Sequence, residues 1–386
     1  MSNMVYLDNA ATTFPKPEEV YLFMDYFYRT CGVNVGRGQY QLAGKASNLV
    51  KETRQLLLEL MDCPQKQVVF TPSATEALNI ILQGINWKHG ATVYITPFEH
   101  NAVLRVLNYL KGIYELSIIE LPLDKENMRY DLEVIKYKFH QIKPDVLIMS
   151  HASNVCGLVA PIEDICNLAK QHDAICVIDM AQTAGLIRTN LSKVQADYIV
   201  FAGHKTLYAP YGVAGFILDK NATLKPLIYG GTGLESANQE MPTTIPERFE
   251  AGSLNIQAIA GLNASLRWIK HTGIDIIHRK EMDNKKLLLN VLEQFDNISI
   301  VGYAKGQEYI GVLSCTFDRY ACDSIGQVLN DQGIAVRTGL HCAPKAHYFL
   351  GTFPQGTVRF STGYFNEPDD FKNLHKALAF IADNSE

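Results

Sequence analysis

The chain has 386 residues, 47% of them hydrophobic and 19% charged. That is the composition of a globular protein able to bury a large core and to divide into about two domains. A net charge of −5 and a pI of about 6.1 give no overall basic surface for nucleic acid or an anionic membrane. The start, MSNMVYLDNAATT, lacks a basic region followed by an apolar run, and no stretch nears the roughly 18 uninterrupted apolar residues of a membrane span. A cytoplasmic protein is expected.

From about residue 67, short β-rich runs alternate with amphipathic stretches. Runs at 68–71, 92–96, 116–121, 146–150, 175–179, 198–202 and 214–218 read as strands, and 74–85, 101–110, 132–139 and 162–172 read as helices. This alternation predicts an α/β fold with a mostly parallel sheet covered on both faces, and ligands beyond the carboxyl ends of its strands. Residues 225–251, rich in Gly, Thr, Pro and Glu, read as a long irregular connection, functional or disordered. Helical patterns over 256–270 and 274–295 follow. Strands near 298–301 and 311–317, and helices near 323–332 and 369–382, complete a second α+β unit. The expected division is a large unit of residues 18–254 and a small one of residues 255–386, joined by residues 1–17.

The strand ends carry complementary chemistry. PSATEA opens the helix after 68–71, where free N–H groups meet an anion or Ser73 and Thr75 simply cap the helix. PFEHNA sets His100 at the next helix start, as cap, core hydrogen-bonder or catalyst, and HASNVCG sets Asn154 in a turn. The run 175–179 ends on Asp179, with Gln182 close by; a carboxylate there needs a cationic or protonated partner. The run 198–202 leads into His204 and Lys205, and a buried lysine shifts its pKa readily, which suits imine chemistry. An Asp 26 positions ahead of a Lys, each at a strand end, matches the demand of pyridoxal phosphate. The Asp keeps the pyridine nitrogen protonated and the Lys forms the imine. A structural Asp–Lys ion pair meets the same spacing.

Eight cysteines are scattered without paired or zinc-type spacing. They read as reduced thiols, most of them small buried hydrophobes, and no metal site is expected. Cys342, in RTGLHCAPKAH, differs: its context is polar and loop-like, where reactive groups concentrate. His341 and Lys345 are neighbours able to lower its pKa, or solvated flanks.

Taken together, YLDNAATT, NVGRGQ, TPSATEALN, FEHNAVL, HASNVCG, VIDMAQTAG, GHKTLYAPYG, GGTG, RFEAGS, AVRTGLHCAP and TVRFSTGYFN resemble the class V aminotransferase family, more closely its cysteine desulfurase branch, over nearly the whole chain. The resemblance implies the type I pyridoxal-phosphate-dependent transferase fold: a large domain with a mostly parallel seven-stranded sheet and a smaller α+β domain. It also implies a homodimer with active sites at the subunit interface. By the same resemblance Lys205 looks like the imine lysine, Asp179 the partner of the pyridine nitrogen, Gln182 the donor to the phenolic oxygen, and His100 the ring-stacking proton shuttle. Ala74, Thr75 and His204 resemble phosphate ligands, and Ser253 stands where the family often has a Thr reaching the partner subunit's phosphate. Arg37, Asn154 and Arg359 resemble substrate ligands, Arg359 as a carboxylate fork.

Cys342 resembles the persulfide-forming nucleophile, and its 17-position spacing to Arg359 is similar to that of the group II (Suf-type) desulfurases. The implied activity converts L-cysteine to L-alanine, moves sulfur to Cys342 and passes it to an acceptor protein, as in iron–sulfur cluster assembly. A selenocysteine lyase, another class V aminotransferase or lyase that does not use Cys342, and a non-enzymatic persulfide carrier are the alternatives. One departure stands out: Ala202 replaces the Ser that desulfurases commonly have before Gly-His-Lys, which removes one phosphate hydrogen bond.

Overall fold

The computed structural model describes residues 4–35, 38–233 and 237–383. Strand β1 (Val5–Tyr6) and helices α1 (Glu18–Cys31) and α2 (Gln41–Leu60) precede the alternation. It runs β2 (Gln67–Thr71), α3 (Ala74–Gly84), β3 (Thr92–Ile95), α4 (Asn101–Tyr114), β4 (Ser117–Glu120), β5 (Leu123–Asp124), β6 (Arg129–Tyr130), α5 (Leu132–Gln141) and β7 (Val146–Ser150). Then come α6 (Ile162–Lys170), β8 (Ile175–Asp179), β9 (Tyr198–Ala202) and β10 (Ala214–Leu218). Among the described residues of 219–255 there is no helix or strand. The chain continues with α7 (Ile256–Thr272), α8 (Ile274–Leu292), β11 (Ile298–Val301), β12 (Val312–Phe317), α9 (Cys322–Asp331), β13 (Ile334–Ala335) and β14 (Arg337–Gly339). It ends with α10 (Pro344–Leu350), β15 (Thr357–Ser361) and α11 (Pro368–Asp383).

Seven strands form the main sheet in the order β2-β10-β9-β8-β7-β3-β4. Pairing is parallel from β9 through β8, β7 and β3 to β4, and antiparallel where β10 lies between β9 and β2. The mostly parallel seven-stranded sheet expected above is present. Its strands β7 to β10 read as nearly continuous apolar runs because both faces are covered. In β7, Leu147 and Met149 join a core with α2, α5, α6 and α7, while Val146 and Ile148 join another with α3 and α4. Period-two alternation thus feeds two cores from one strand. Truncating Leu147, which is fully buried, to Ala would cost about 2–5 kcal/mol.

A second, antiparallel sheet, β11-β12-β15-β14, carries a third core with α8, α9 and α11. The amino-terminal residues join it: β1 pairs in parallel with β13, and Leu7 sits in that core. This seats Asp8 against β15 through a bridge to Ser361. Helices α1 and α2 went unmarked in the sequence. In α1 only Val20, Phe27 and Cys31 are buried while Tyr21, Leu22, Tyr26 and Tyr28 are exposed, so no clean apolar stripe marks it. No helix among the described residues is long and apolar enough to cross a membrane.

Candidate active site

A cavity of about 970 Å³ opens at the carboxyl ends of β7, β8 and β9 and the N-termini of α3 and α4. Arg337, Arg359 and the loop around Cys342 close its other side. Asp179 ends β8, and its Oδ1 accepts from the Ala181 N–H at 2.8 Å. Burial pushes its carboxyl above the usual range, with that N–H and Lys205 pulling the other way. Lys205 follows β9 in the turn beside it. Burial pulls its ammonium pKa down, opposed by Asp179. Gln182 donates to the Ala10 carbonyl at 2.9 Å. One amide proton makes that bond and the second is left.

His100 combines a helix cap with a place in the cavity wall. It caps α4, its Nδ1 accepting from the Ala102 N–H at 3.0 Å, and its ring lines the cavity. With Nδ1 an acceptor, the ring proton is on Nε2. Burial, then the charges of Lys205, Arg105 and Arg359, hold its pKa at about 4. Ser73 is the cap of α3, accepting from the Glu76 N–H at 3.2 Å. Ala74 and Thr75 come next and line the cavity, with first-turn N–H groups that have no intrahelical acceptor. The ring of His204 stacks on Tyr211 at 4.6 Å, and its Nδ1 is buried without a partner. Burial and the nearby lysines Lys205 and Lys16 depress its pKa to about 3. Ala202 completes this wall with a methyl group where a hydroxyl was the family pattern.

Arg359, on β15, is 2% exposed. Its fork is partly engaged within the chain: Nη1 donates to the Asn154 carbonyl at 3.0 Å and Nη2 to Asp8 Oδ1 at 2.9 Å. Its Nε is buried and unpartnered. Asn154 in turn donates through Nδ2 to the His341 carbonyl at 2.7 Å.

Cys342 is exposed at the cavity edge. His341 and Cys342 both adopt left-handed backbone, with φ of 48° and 57°. For residues with a Cβ this stores about 1–3 kcal/mol each. Two bonds hold the conformation: the one from Asn154 and another from the Asn101 N–H, at the α4 N-terminus, to the Cys342 carbonyl at 2.7 Å. Neither neighbour named above offers Cys342 a free cation. The buried His341 ring is bonded through Nε2 to Thr357 Oγ1 at 2.8 Å, and burial with Arg359 holds its pKa at about 2, so it is neutral. Lys345 is ion-paired with Glu120.

Ser253 is exposed and lies outside this cavity, and Arg37 falls outside the described residues. Two residues that sequence reasoning passed over are Asp8 and Arg337. The Arg337 guanidinium meets Asp8 Oδ2 through Nε at 3.0 Å and Nη2 at 2.8 Å. The available signals were a lone carboxylate in apolar VYLDNA and a cation just ahead of the Cys342 loop.

The family model described as Aminotransferase class-V matches residues 5–374. The chain is 31% identical over 384 residues to a probable cysteine desulfurase of Pyrococcus abyssi, covering 96% of this chain and 92% of that protein. It is 30% identical over 392 residues to a probable cysteine desulfurase of Vibrio cholerae, covering 98% and 94%. An apo cysteine desulfurase structure from Thermococcus onnurineus NA1 matches with a TM-score of 0.89 at 28% identity, over 98% of this chain and 94% of that one. With the fold, the strand-end residues and these relatives in agreement, the chain belongs to the class-V aminotransferase family.

Proposed function

We propose that this protein is a pyridoxal-phosphate-dependent cysteine desulfurase, turning L-cysteine into L-alanine and taking the sulfur onto Cys342. The observation that carries this reading is that Lys205, Asp179, Arg359 and Cys342, far apart in sequence, line one cavity. The relatives named above are one cysteine desulfurase and two probable ones, which favours this activity over the lyase and carrier alternatives.

The residues present fit the cofactor. The orphaned Nδ1 of His204 and the first-turn N–H groups of Ala74 and Thr75 suit a phosphate. Asp179 suits a protonated pyridine nitrogen, the second Gln182 amide proton a phenolic oxygen, the His100 ring a stacked aromatic, and Lys205 an imine. Bound there, pyridoxal phosphate supplies the electron sink that makes the substrate Cα–H acidic.

The chain's own residues do the rest. Arg359 and Asn154 hold the substrate carboxylate. Lys205, less basic than a solvated lysine because it is buried, takes the α-proton on Nζ. The Cys342 thiolate attacks the substrate sulfur: an S–S bond forms, the C–S bond breaks, and its electron pair stays on the substrate carbon. Two protons complete L-alanine: the one held on Lys205 Nζ returns to Cα, and the one given up by the Cys342 thiol goes to Cβ by way of the site. The exposed position of Cys342 suits delivery of the persulfide sulfur to an acceptor protein, with iron–sulfur cluster assembly as the class of use. The working form in this reading is a cytoplasmic homodimer in which Ser253 reaches the partner subunit's phosphate. Its large domain is assigned residues 18–254 and its small one residues 255–386, with α7 packing into the core of the large domain.

The test is alanine and sulfide production from L-cysteine with a reducing thiol present. Wild type should give equimolar products, Lys205→Ala none, and Cys342→Ser a loss of roughly 100-fold or more. Undiminished sulfide from Cys342→Ala would remove Cys342 from the mechanism, and survival of selenide release alone would favour a selenocysteine lyase.

A further inference from the structure

Two guanidinium groups converge on one carboxylate behind the cavity wall. Asp8, just past β1 and 8% exposed, accepts from Arg359 Nη2 at 2.9 Å and from Arg337 Nε and Nη2 at 3.0 and 2.8 Å. Arg337 and Arg359 line the cavity; Asp8 does not, standing behind them. Among the described residues, the charged side chains that do line it are Arg105, Lys205, Arg337 and Arg359, against the single carboxylate Asp179, which lies by Lys205. Asp8 is therefore the group that offsets the two arginines.

The geometry leaves Arg359 with capacity for one more anion. Nη1 and Nη2 each use one proton, on the Asn154 carbonyl and Asp8, while Nε is buried with no acceptor at all. With Asp8 in place the three-residue cluster carries one net positive charge, matched by the single carboxylate of an amino acid with a neutral side chain. Without it the cluster carries two, and a ligand with two anionic groups becomes the better match.

We propose that Asp8 is a specificity-determining residue: held behind Arg337 and Arg359, it tunes the pocket to substrates with one carboxylate and away from acidic amino acids. This rests on the reading of Arg359 as the ligand of the substrate carboxylate. Selectivity should follow the charge of the cluster and not the mere presence of Asp8.

The experiment measures binding of propionate and succinate, one carboxylate against two, by calorimetry on the cofactor-loaded protein. Asp8→Asn should raise the succinate-to-propionate affinity ratio about tenfold or more. Arg337→Gln should lower it below wild type, and the double variant should return it to within about threefold of wild type. Arg337→Gln keeps the proposal testable if Asp8→Asn does not fold. An unchanged ratio in Asp8→Asn, or a shift of Arg337→Gln in the same direction as Asp8→Asn, overturns it. Wild-type alanine production from L-cysteine, measured in parallel, separates the two claims. Its absence sinks the desulfurase reading, whereas a wrong order of ratios in an active enzyme sinks only the role of Asp8.

Discussion

Burial sets the charge of every histidine near the cavity. His100 and His151 are held at about 4, His204 at about 3 and His341 at about 2, in each case chiefly by desolvation. All are neutral at pH 7, so the positive field of the site comes from arginines and from Lys205. The thiols divide the same way: burial raises the pKa of Cys63 and Cys315, whereas Cys342 stands in the open. Nucleophilic chemistry is thus confined by exposure, since a buried thiol held protonated is inert. Ala202 makes a prediction at this scale. It is 1% exposed on the wall beside Lys205, so a hydroxyl there would be desolvated and would depend on a partner such as a phosphate oxygen. In Ala202→Ser one added hydrogen bond of about 1 kcal/mol should tighten cofactor binding roughly fivefold. Absorbance titration of the stripped protein would check it, and affinity no better than wild type would count against the missing bond.

At the scale of elements, the nucleophile loop is held by residues of other elements. Its two left-handed residues depend on donors from the β7–α6 connection and the α4 N-terminus. Asn154→Ala removes the donor to the His341 carbonyl and leaves that carbonyl buried without its partner, at a cost of about 1–3 kcal/mol. Its other tie, the Asn154 carbonyl to Arg359, survives the change. The expected result is kcat for sulfide release down about tenfold or more with cofactor content unchanged. A kcat equal to wild type would show that the loop holds itself. The same contrast explains what was legible beforehand. Strands β7 to β10 could be read because burial on both faces makes continuous apolar runs, and Asp179 and Lys205 could be read because they end such runs. Strands β13 and β14, two and three residues long, are too short for any period to show. The Asp8–Arg359 pair joins residues 351 positions apart, and the left-handed turn at Cys342 carries no glycine to announce it.

Across the whole molecule, α8 ties the layers together. Ile274 and Ile277 at one end enter the core with α2, α5, α6 and α7, while Leu288, Val291 and Leu292 at the other enter the core of the second sheet. Between them the helix buries polar groups: Asn284 donates to the Gly363 and Asn366 carbonyls, and Glu281 accepts from the Gly311 N–H at 3.1 Å. Burial pushes Glu281 up from 4.5 to about 7, and Glu99, buried under the cavity floor against Thr96 and Ser150, likewise to about 7. A carboxyl whose folded pKa is raised binds its proton more tightly folded than unfolded. Its contribution is therefore complete below about pH 4.5 and is lost as pH rises to about 7. The shift corresponds to up to about 3 kcal/mol for each group. Lys16, bonded to Thr13 and the His204 carbonyl and depressed by burial to about 7, acts oppositely and only above that range, where stability rises as pH climbs toward the unfolded lysine value. The buried histidines, held at about 4 or below when folded against 6.5 unfolded, also raise stability as pH climbs from 5 to about 6.5, so the carboxyl effect is read in urea as a difference between variant and wild type. Glu281→Gln keeps an acceptor for the Gly311 N–H but cannot ionise, so between pH 5 and pH 8 its stability should rise relative to wild type by up to about 3 kcal/mol. A pH dependence parallel to that of wild type would mean that Glu281 is already ionised in the folded protein at pH 5, with its charge solvated by a rearrangement where the cores meet.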